Sequence, residues 1–159
     1  MLKMPAIRTY VDTSVFGGVF DAEFSRASKI FFAKINAGSF RLVVSPIVAE
    51  EMADAPPRIR QAYEVSLSLA EIVPVEDATL ALRDAYLKAG IVAPQWAADA
   101  LHVALATVAG CAMIVSWNFK HIVNFRRIPL YNAVNKAHGY SEIGIFTPQE
   151  VIEDEDETV

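Results

Sequence analysis

The chain has 159 residues, 53% of them hydrophobic and 21% charged, which fits one globular domain with a single sizeable core and excludes a disordered chain. Its formal charge of -5 belongs to the tail: Glu153 to Glu157 hold five of the 19 acids, so the body balances 14 acids against 14 bases. A neutral body excludes nucleic-acid binding by a global field and leaves only a local basic patch for it. The lone Cys111 excludes an intramolecular disulfide and a cysteine zinc cluster, and it fits a reducing cytoplasm.

Along the chain, Ala6 to Val11 (AIRTYV) is a short β-rich run, and no apolar signal-peptide core precedes it. Asp12-Thr13-Ser14 follows, where Thr13 or Ser14 is placed to cap a turn that Gly17-Gly18 loosens. Ser25 to Ala37 has a helical pattern with Gly38 as its stop, and Phe40 to Val44 is the second strand. Ser45-Pro46 opens a helix that carries Glu50 and Glu51. After the break at Ala55-Pro56-Pro57, the pattern predicts a helix over Arg58 to Leu69 and a brief strand over Ile72 to Val75. Asp77 to Ala89 reads as an amphipathic helix closed by Gly90.

Trp96 to Ala109 is predicted to be the central helix. Its only charged side chain is Asp99, and a helix apolar nearly all round is a buried one. Asp99, His102, Val103, Ala106 and Gly110 fall on one stripe, whose small residues suit close approach to a sheet. Ala100 to Phe119 carries no formal charge, but Gly110 divides it into helix, turn and strand rather than a membrane span. The strand, CAMIVSWN, delivers Ser116 and Asn118 to its C-terminal end. Beyond Asn118 the chain reads as loop-rich, with Arg126-Arg127 as its basic pair. Ile143 to Phe146 is the last strand, and Thr147-Pro148-Gln149-Glu150 starts a short helix with a capping box. Residues 1–152 thus form the domain, and 153–159 form an acidic, solvated tail.

Strands alternating with helices predict an α/β fold, a mostly parallel sheet covered on both faces. Ligands of such folds sit beyond the carboxyl ends of strands, at a switch point. Asp12 and Asn118 stand at strand ends, and Glu51 and Asp99 stand on helices able to flank them. A buried carboxylate needs a partner, a raised pKa or a metal ion, so Asp99 belongs either to a site or to a structural pair with an arginine.

Familiar chemistries lack an anchor. There is no G-x-G-x-x-G, no G-x-x-x-x-G-K-[ST] and no G-x-S-x-G; Ser14 stands where a phosphotransferase of the D-x-D type has its second aspartate. His102, His121 and His138 do not pair at zinc spacing. What remains is an oxygen set, Asp12, Glu51, Asp99 and Asn118 with Ser14 nearby. Such donors favour Mg²⁺ or Mn²⁺, ions able to activate water and clamp a phosphodiester.

YVDTSVF, VVSPIVAEEM, AADALHVALA and IVSWNFKHIVN follow one another in the order and approximate spacing of PIN domains. From about Ile7 to Glu150 the sequence most resembles the VapC-like ribonucleases of toxin–antitoxin pairs. The resemblance implies a single three-layer α/β/α domain in which a metal-bound cluster of acids cleaves RNA. By position, Asp12 matches the family's first acid, Glu51 its second with Glu50 as rival, and Asp99 its third. Asn118 falls where many members carry a fourth aspartate, which leaves the second metal open, and Ser14 matches a polar position that supports the metal site. The resemblance also implies a homodimer and a cognate antitoxin. The competing reading is a PIN-like interaction module without nuclease activity. His102 is expected to be a satisfied core histidine or a partner of the acids rather than a ligand. Lys120 and His121 are expected on the loop surface, where either is a candidate for meeting RNA phosphate, as are Arg126 and Arg127. Trp117 is expected to be a packing anchor, with base stacking as the lesser reading.

Overall fold

The runs IRTYV, FRLVV, MIV and GIF are mostly apolar, as strands buried on both faces must be. In the computed structural model, which describes residues 5–152, they become β1 (Ile7–Val11), β2 (Phe40–Val44), β4 (Met113–Val115) and β5 (Gly144–Phe146). A two-residue β3 (Glu71–Ile72) sits at one edge, shorter than the predicted Ile72 to Val75. All pairings are parallel, in the order β3-β2-β1-β4-β5. The order reverses at β1 and β4, whose residues 9–11 lie opposite 113–115.

Among the described residues eight α-helices cover the sheet: α1 (Thr13–Gly18), α2 (Ser25–Asn36), α3 (Pro46–Met52), α4 (Pro57–Ser66), α5 (Asp77–Lys88), α6 (Ala97–Val108), α7 (Ile128–Ala137) and α8 (Pro148–Ile152). One helical group joins α2 to α8 and to α1, and α1 to α4; Phe16 of α1 meets Phe32 of α2 and Tyr63 of α4. The other joins α5 to α6 and α7. The three-layer α/β/α architecture follows. The α6 helix is the buried one, its residues from Ala100 to Thr107 all removed from solvent. Two helix starts named from the sequence are capped. Ser45 Oγ accepts from the Ile47 N–H at 3.2 Å, and Thr147 and Glu150 exchange side chain-to-backbone bonds at 3.2 and 2.9 Å.

Three expectations are corrected. The stretch after Asp12 is a helix, not a loosened turn, and neither Thr13 nor Ser14 caps it; Asp12 occupies the N-cap, and the two hydroxyls turn to carboxylates instead. Gly110 does not line the close face of α6 but ends the helix, with φ +73°. The region beyond Asn118 contains α7, in which Asn135 is wholly buried and donates to Thr107 Oγ1 at 3.3 Å while accepting from the Tyr86 hydroxyl. The acidic tail expected over 153–159 lies outside the described residues.

Trp117 is the packing anchor the sequence suggests. It stacks on Phe24 with centroids 4.2 Å apart, and its Nε1 donates to Ser28 Oγ at 2.8 Å. The indole lies over Gly18, where an added Cβ would sit 2.6 Å from Trp117 Nε1 and 2.7 Å from Ser28 Oγ. Gly18→Ala is therefore expected to cost about 1–3 kcal/mol, read as a lower Tm. An unchanged melting curve would show that the indole yields freely.

Candidate active site

Asp12 is the first residue past β1, and Ser116 the first past β4, so the switch point of the sheet brings them together. The Asp12 carboxylate is buried. Its Oδ1 accepts from Ser14 Oγ at 2.6 Å and its Oδ2 from Ser116 Oγ at 3.0 Å. Both serines are themselves held: Ser14 Oγ accepts from the Trp117 N–H at 2.9 Å and Ser116 Oγ from the Asn118 N–H at 2.9 Å. Burial raises the Asp12 pKa, and the charge of Glu51 adds to that. His102 and the two serines pull it down without cancelling the rise.

Glu51 reaches in from α3. Its Oε1 accepts from Thr13 Oγ1 at 2.5 Å and pairs with His102 Nε2 at 2.7 Å. Glu50, about 100° away around the helix, is exposed. Burial raises the Glu51 carboxyl, but the His102 hydrogen bond and charge, with the Thr13 hydroxyl, outweigh it and hold the pKa low. His102 comes from α6 and is buried. Its Nδ1 lies 2.8 Å from the Tyr10 hydroxyl, which lies 2.8 Å from Ser45 Oγ. Burial lowers the His102 pKa, yet the Glu51 bond and the charges of Asp12, Glu51 and Asp99 raise it overall. One buried imidazole thus feels all three predicted acids, from three separate elements.

Asp99 stands in the first turn of α6 and pairs through Oδ2 with His121 Nδ1 at 2.8 Å, so its partner is a histidine and not an arginine. His121 is no loop-surface group. It is buried, stacked on Trp96 with centroids 4.7 Å apart, its N–H donated to Asn118 Oδ1 at 2.9 Å and its carbonyl bonded by Tyr131 at 2.8 Å. That burial takes it off the surface where phosphate contact was expected. Asn118 acts within the turn that carries His121. Arg127 is half-buried and donates to the Ile91 carbonyl at 3.0 Å, whereas Lys120 and Arg126 are exposed.

Carboxylate and hydroxyl oxygens are the donors that suit a hard divalent cation, and a buried carboxyl with a raised pKa asks for positive charge. The residues fit Mg²⁺ or Mn²⁺ in kind. The acids are not gathered as tightly as the sequence led us to expect: among the described residues no group of three His, Cys, Asp or Glu side chains is arranged to hold an ion. Each is taken up by its own donors, Asp12 by serines, Glu51 by Thr13 and His102, Asp99 by His121. The sequence reading missed Thr13, Tyr10 and Trp96. A cleft of about 520 Å³ lies between α1, α2 and α4 and includes none of the acids. No helix among the described residues is long and apolar enough to cross a membrane.

No curated protein matches the chain. Among solved structures, it is similar to VapBC2 from Rickettsia felis bound to a DNA fragment from their promoter, with TM-score 0.54 and 16% identity, over 77% of this chain and 94% of that one. At that identity the likeness concerns the fold. The family model of the PIN domain matches residues 9–121, a span that runs from β1 to the turn after β4 and includes Asp12, Glu51, Asp99 and Asn118. The chain belongs to the PIN-domain family.

Proposed function

We propose that the protein is a Mg²⁺- or Mn²⁺-dependent endoribonuclease of the VapC kind, working in the cytoplasm as the toxin of a toxin–antitoxin pair. The observation that carries this reading is the PIN-domain match over residues 9–121, which spans Asp12 at the end of β1, Glu51 on α3 paired with the buried His102 at 2.7 Å, and Asp99 on α6. Those three acids would hold the ion. Bound there, a divalent cation would supply an activated water and a clamp on the phosphodiester oxygens. The chain's own residues do the rest. Ser14 and Ser116 orient the two oxygens of Asp12, Thr13 and His102 aim Glu51, and His121 aims Asp99. Asn118 works through the turn it closes on His121, and the exposure of Lys120 and Arg126 supports a phosphate-contacting role for them. The likeness to VapBC2 supports an antitoxin as partner, and the sequence resemblance to VapC-like proteins is the ground for a second copy of the chain.

A PIN-like binding module is the competing reading, favoured by Asn118 having its Oδ1 engaged by the His121 N–H where many relatives carry a fourth acid. A cleavage assay on labelled RNA with titrated Mg²⁺ or Mn²⁺ separates the two. Cleavage that rises with metal and stops in EDTA is expected. Undiminished hydrolysis in excess EDTA would remove the metal mechanism, and intact RNA at every metal concentration would leave the binding module.

A further inference from the structure

His102 is bonded on both sides, and the two bonds lead to the same helix. Its Nε2 lies 2.7 Å from Glu51 Oε1, in the last turn of α3. Its Nδ1 lies 2.8 Å from the Tyr10 hydroxyl of β1, which lies 2.8 Å from Oγ of Ser45, the N-cap of α3. Ser45, Tyr10 and His102 are all buried, so water does not compete for the protons between them. The chain leaves α3 at its start, passes through β1 and α6, and returns at its end. A seven-residue helix is thereby held at both ends.

Counting protons gives this chain a direction. Ser45 Oγ already accepts from the Ile47 N–H at 3.2 Å, and each hydroxyl has one proton to donate. The Glu51 carboxylate only accepts, so the proton between it and His102 sits on Nε2. In the neutral ring Nδ1 is then an acceptor, and Tyr10 donates to it. The Tyr10 oxygen in turn accepts from Ser45, and every buried proton has an acceptor. The opposite direction sets the lone pairs of Nε2 and Oε1 against each other at 2.7 Å and leaves the Ser45 proton without a partner. Both bonds that reach Glu51, from His102 and from Thr13 at 2.5 Å, fall on Oε1. Oε2 is therefore the oxygen whose lone pairs a cation can take.

We propose that Tyr10 is a positioning residue of the site: bonded between Ser45 and His102, it turns the His102 Nε2–H onto Glu51 Oε1 and so presents Oε2 to a divalent cation. The identity of the ion rests on the nuclease reading. Tyr10 touches neither ion nor substrate and acts only through the imidazole.

The test has two readouts, neither of which needs RNA. The first is the long-range proton–nitrogen NMR spectrum of the imidazoles at alkaline pH, where the ring is neutral, with His102 assigned by its loss in His102→Gln. Wild type should carry the proton on Nε2, and so should Glu51→Gln, because Tyr10 still occupies Nδ1. Tyr10→Phe should move the Nδ1 resonance to that of a nitrogen without a donor. A proton on Nδ1 in wild type or in Glu51→Gln would overturn the direction of the chain, as would an Nδ1 resonance indifferent to Tyr10→Phe. The second readout is Mn²⁺ affinity, followed by the paramagnetic resonance signal of the free ion. Tyr10→Phe should weaken it by about 3- to 10-fold, the loss of one hydrogen bond. His102→Gln should weaken it by about 10- to 100-fold. Tyr86→Phe removes an equally buried phenol, bonded to Asn135 and Thr107, and should leave the affinity unchanged. Equal affinity in Tyr10→Phe and wild type would overturn the positioning role. So would an equal loss in Tyr86→Phe, since any missing phenol would then loosen the site. A separate cleavage assay at subsaturating Mn²⁺ keeps the two ideas apart. Cleavage unaffected by Tyr10→Phe sinks the positioning role and leaves the nuclease, whereas Tyr10-dependent Mn²⁺ binding with RNA left intact sinks the nuclease and leaves the positioning role.

Discussion

Asp12→Asn is expected to lower RNA cleavage by on the order of 10³-fold, while the protein without metal melts no lower than wild type at neutral pH. The activity loss follows from replacing a charged oxygen with a neutral amide at the ion, where charge stabilisation of about 4 kcal/mol corresponds to about 10³-fold in rate. The stability result follows from burial. Folding takes the Asp12 carboxylate out of water beside another acid, which is why its pKa is raised above the ordinary 3.8. A carboxyl with a raised folded-state pKa favours the fold most below pH 3.8, and that advantage is lost as the pH rises through the raised value. At neutral pH wild type therefore carries the whole penalty, and the asparagine variant carries none of it. Against this gain stands one serine hydroxyl, of Ser14 or Ser116, that loses its acceptor at a cost of about 1 kcal/mol. Thermal melts in EDTA across pH 4 to 8 (about the range in which proteins of this kind survive) read the difference, which should move in the variant's favour as pH rises. A variant that melts about 3 °C or more below wild type at neutral pH, roughly 1 kcal/mol for a chain of this length, would mean that the carboxylate is a stabilising group and not a held charge.

Glu51→Gln should lose most of the cleavage activity, and Glu50→Gln little. Glu51 alone bonds Thr13 and His102 and feeds its charge to the site. The pair also leaves a signature in stability. Glu51 is held low, so its contribution is present above its ordinary 4.5 and fades as pH falls through the depressed value. His102 is held high, so its contribution is present below its ordinary 6.5 and fades as pH rises through the elevated one. The pair supports the fold best between those two ordinary values. Because the Glu51 side chain is 35% exposed, solvent screens the pair, and the loss in Glu51→Gln should be only about 1 kcal/mol within that window. Measured without metal, wild type should show this maximum and Glu51→Gln a flatter profile. Full activity in Glu51→Gln with loss in Glu50→Gln would shift the second acid by one residue.

The places of Asp12 and Asp99 in the fold were legible because their signals are local. A carboxylate in an otherwise apolar helix marks Asp99, and an acid closing a β-rich run marks Asp12, without any knowledge of strand order. What holds the acids was not legible. Tyr10 meets His102 across 92 residues and His121 meets Asp99 across 22, contacts that exist only once the elements carrying them have packed. Helix α7 was hidden by its own polar residues. Asn132 and Asn135 are poor helix formers on propensity, and only their buried bonds to Ile143, Thr107 and Tyr86 make them helix residues here. Gly17-Gly18 read as looseness, whereas Gly18 is the space that an indole from position 117 fills.

The pairing of β1 with β4 also fixes when the site comes into being. The ribosome releases Asp12 early, but its Ser116 partner, the neighbouring strand 113–115 and the His121 that holds Asp99 are made about a hundred residues later. Synthesis at about 5–20 residues per second puts several seconds between them. Throughout that interval the growing chain has carboxylates but no site. Contacts so distant in sequence close late in folding, because the loop entropy must be met before they reward it. A nascent chain of this protein cannot surround Asp12 and Asp99 with these partners before residue 121 has been made.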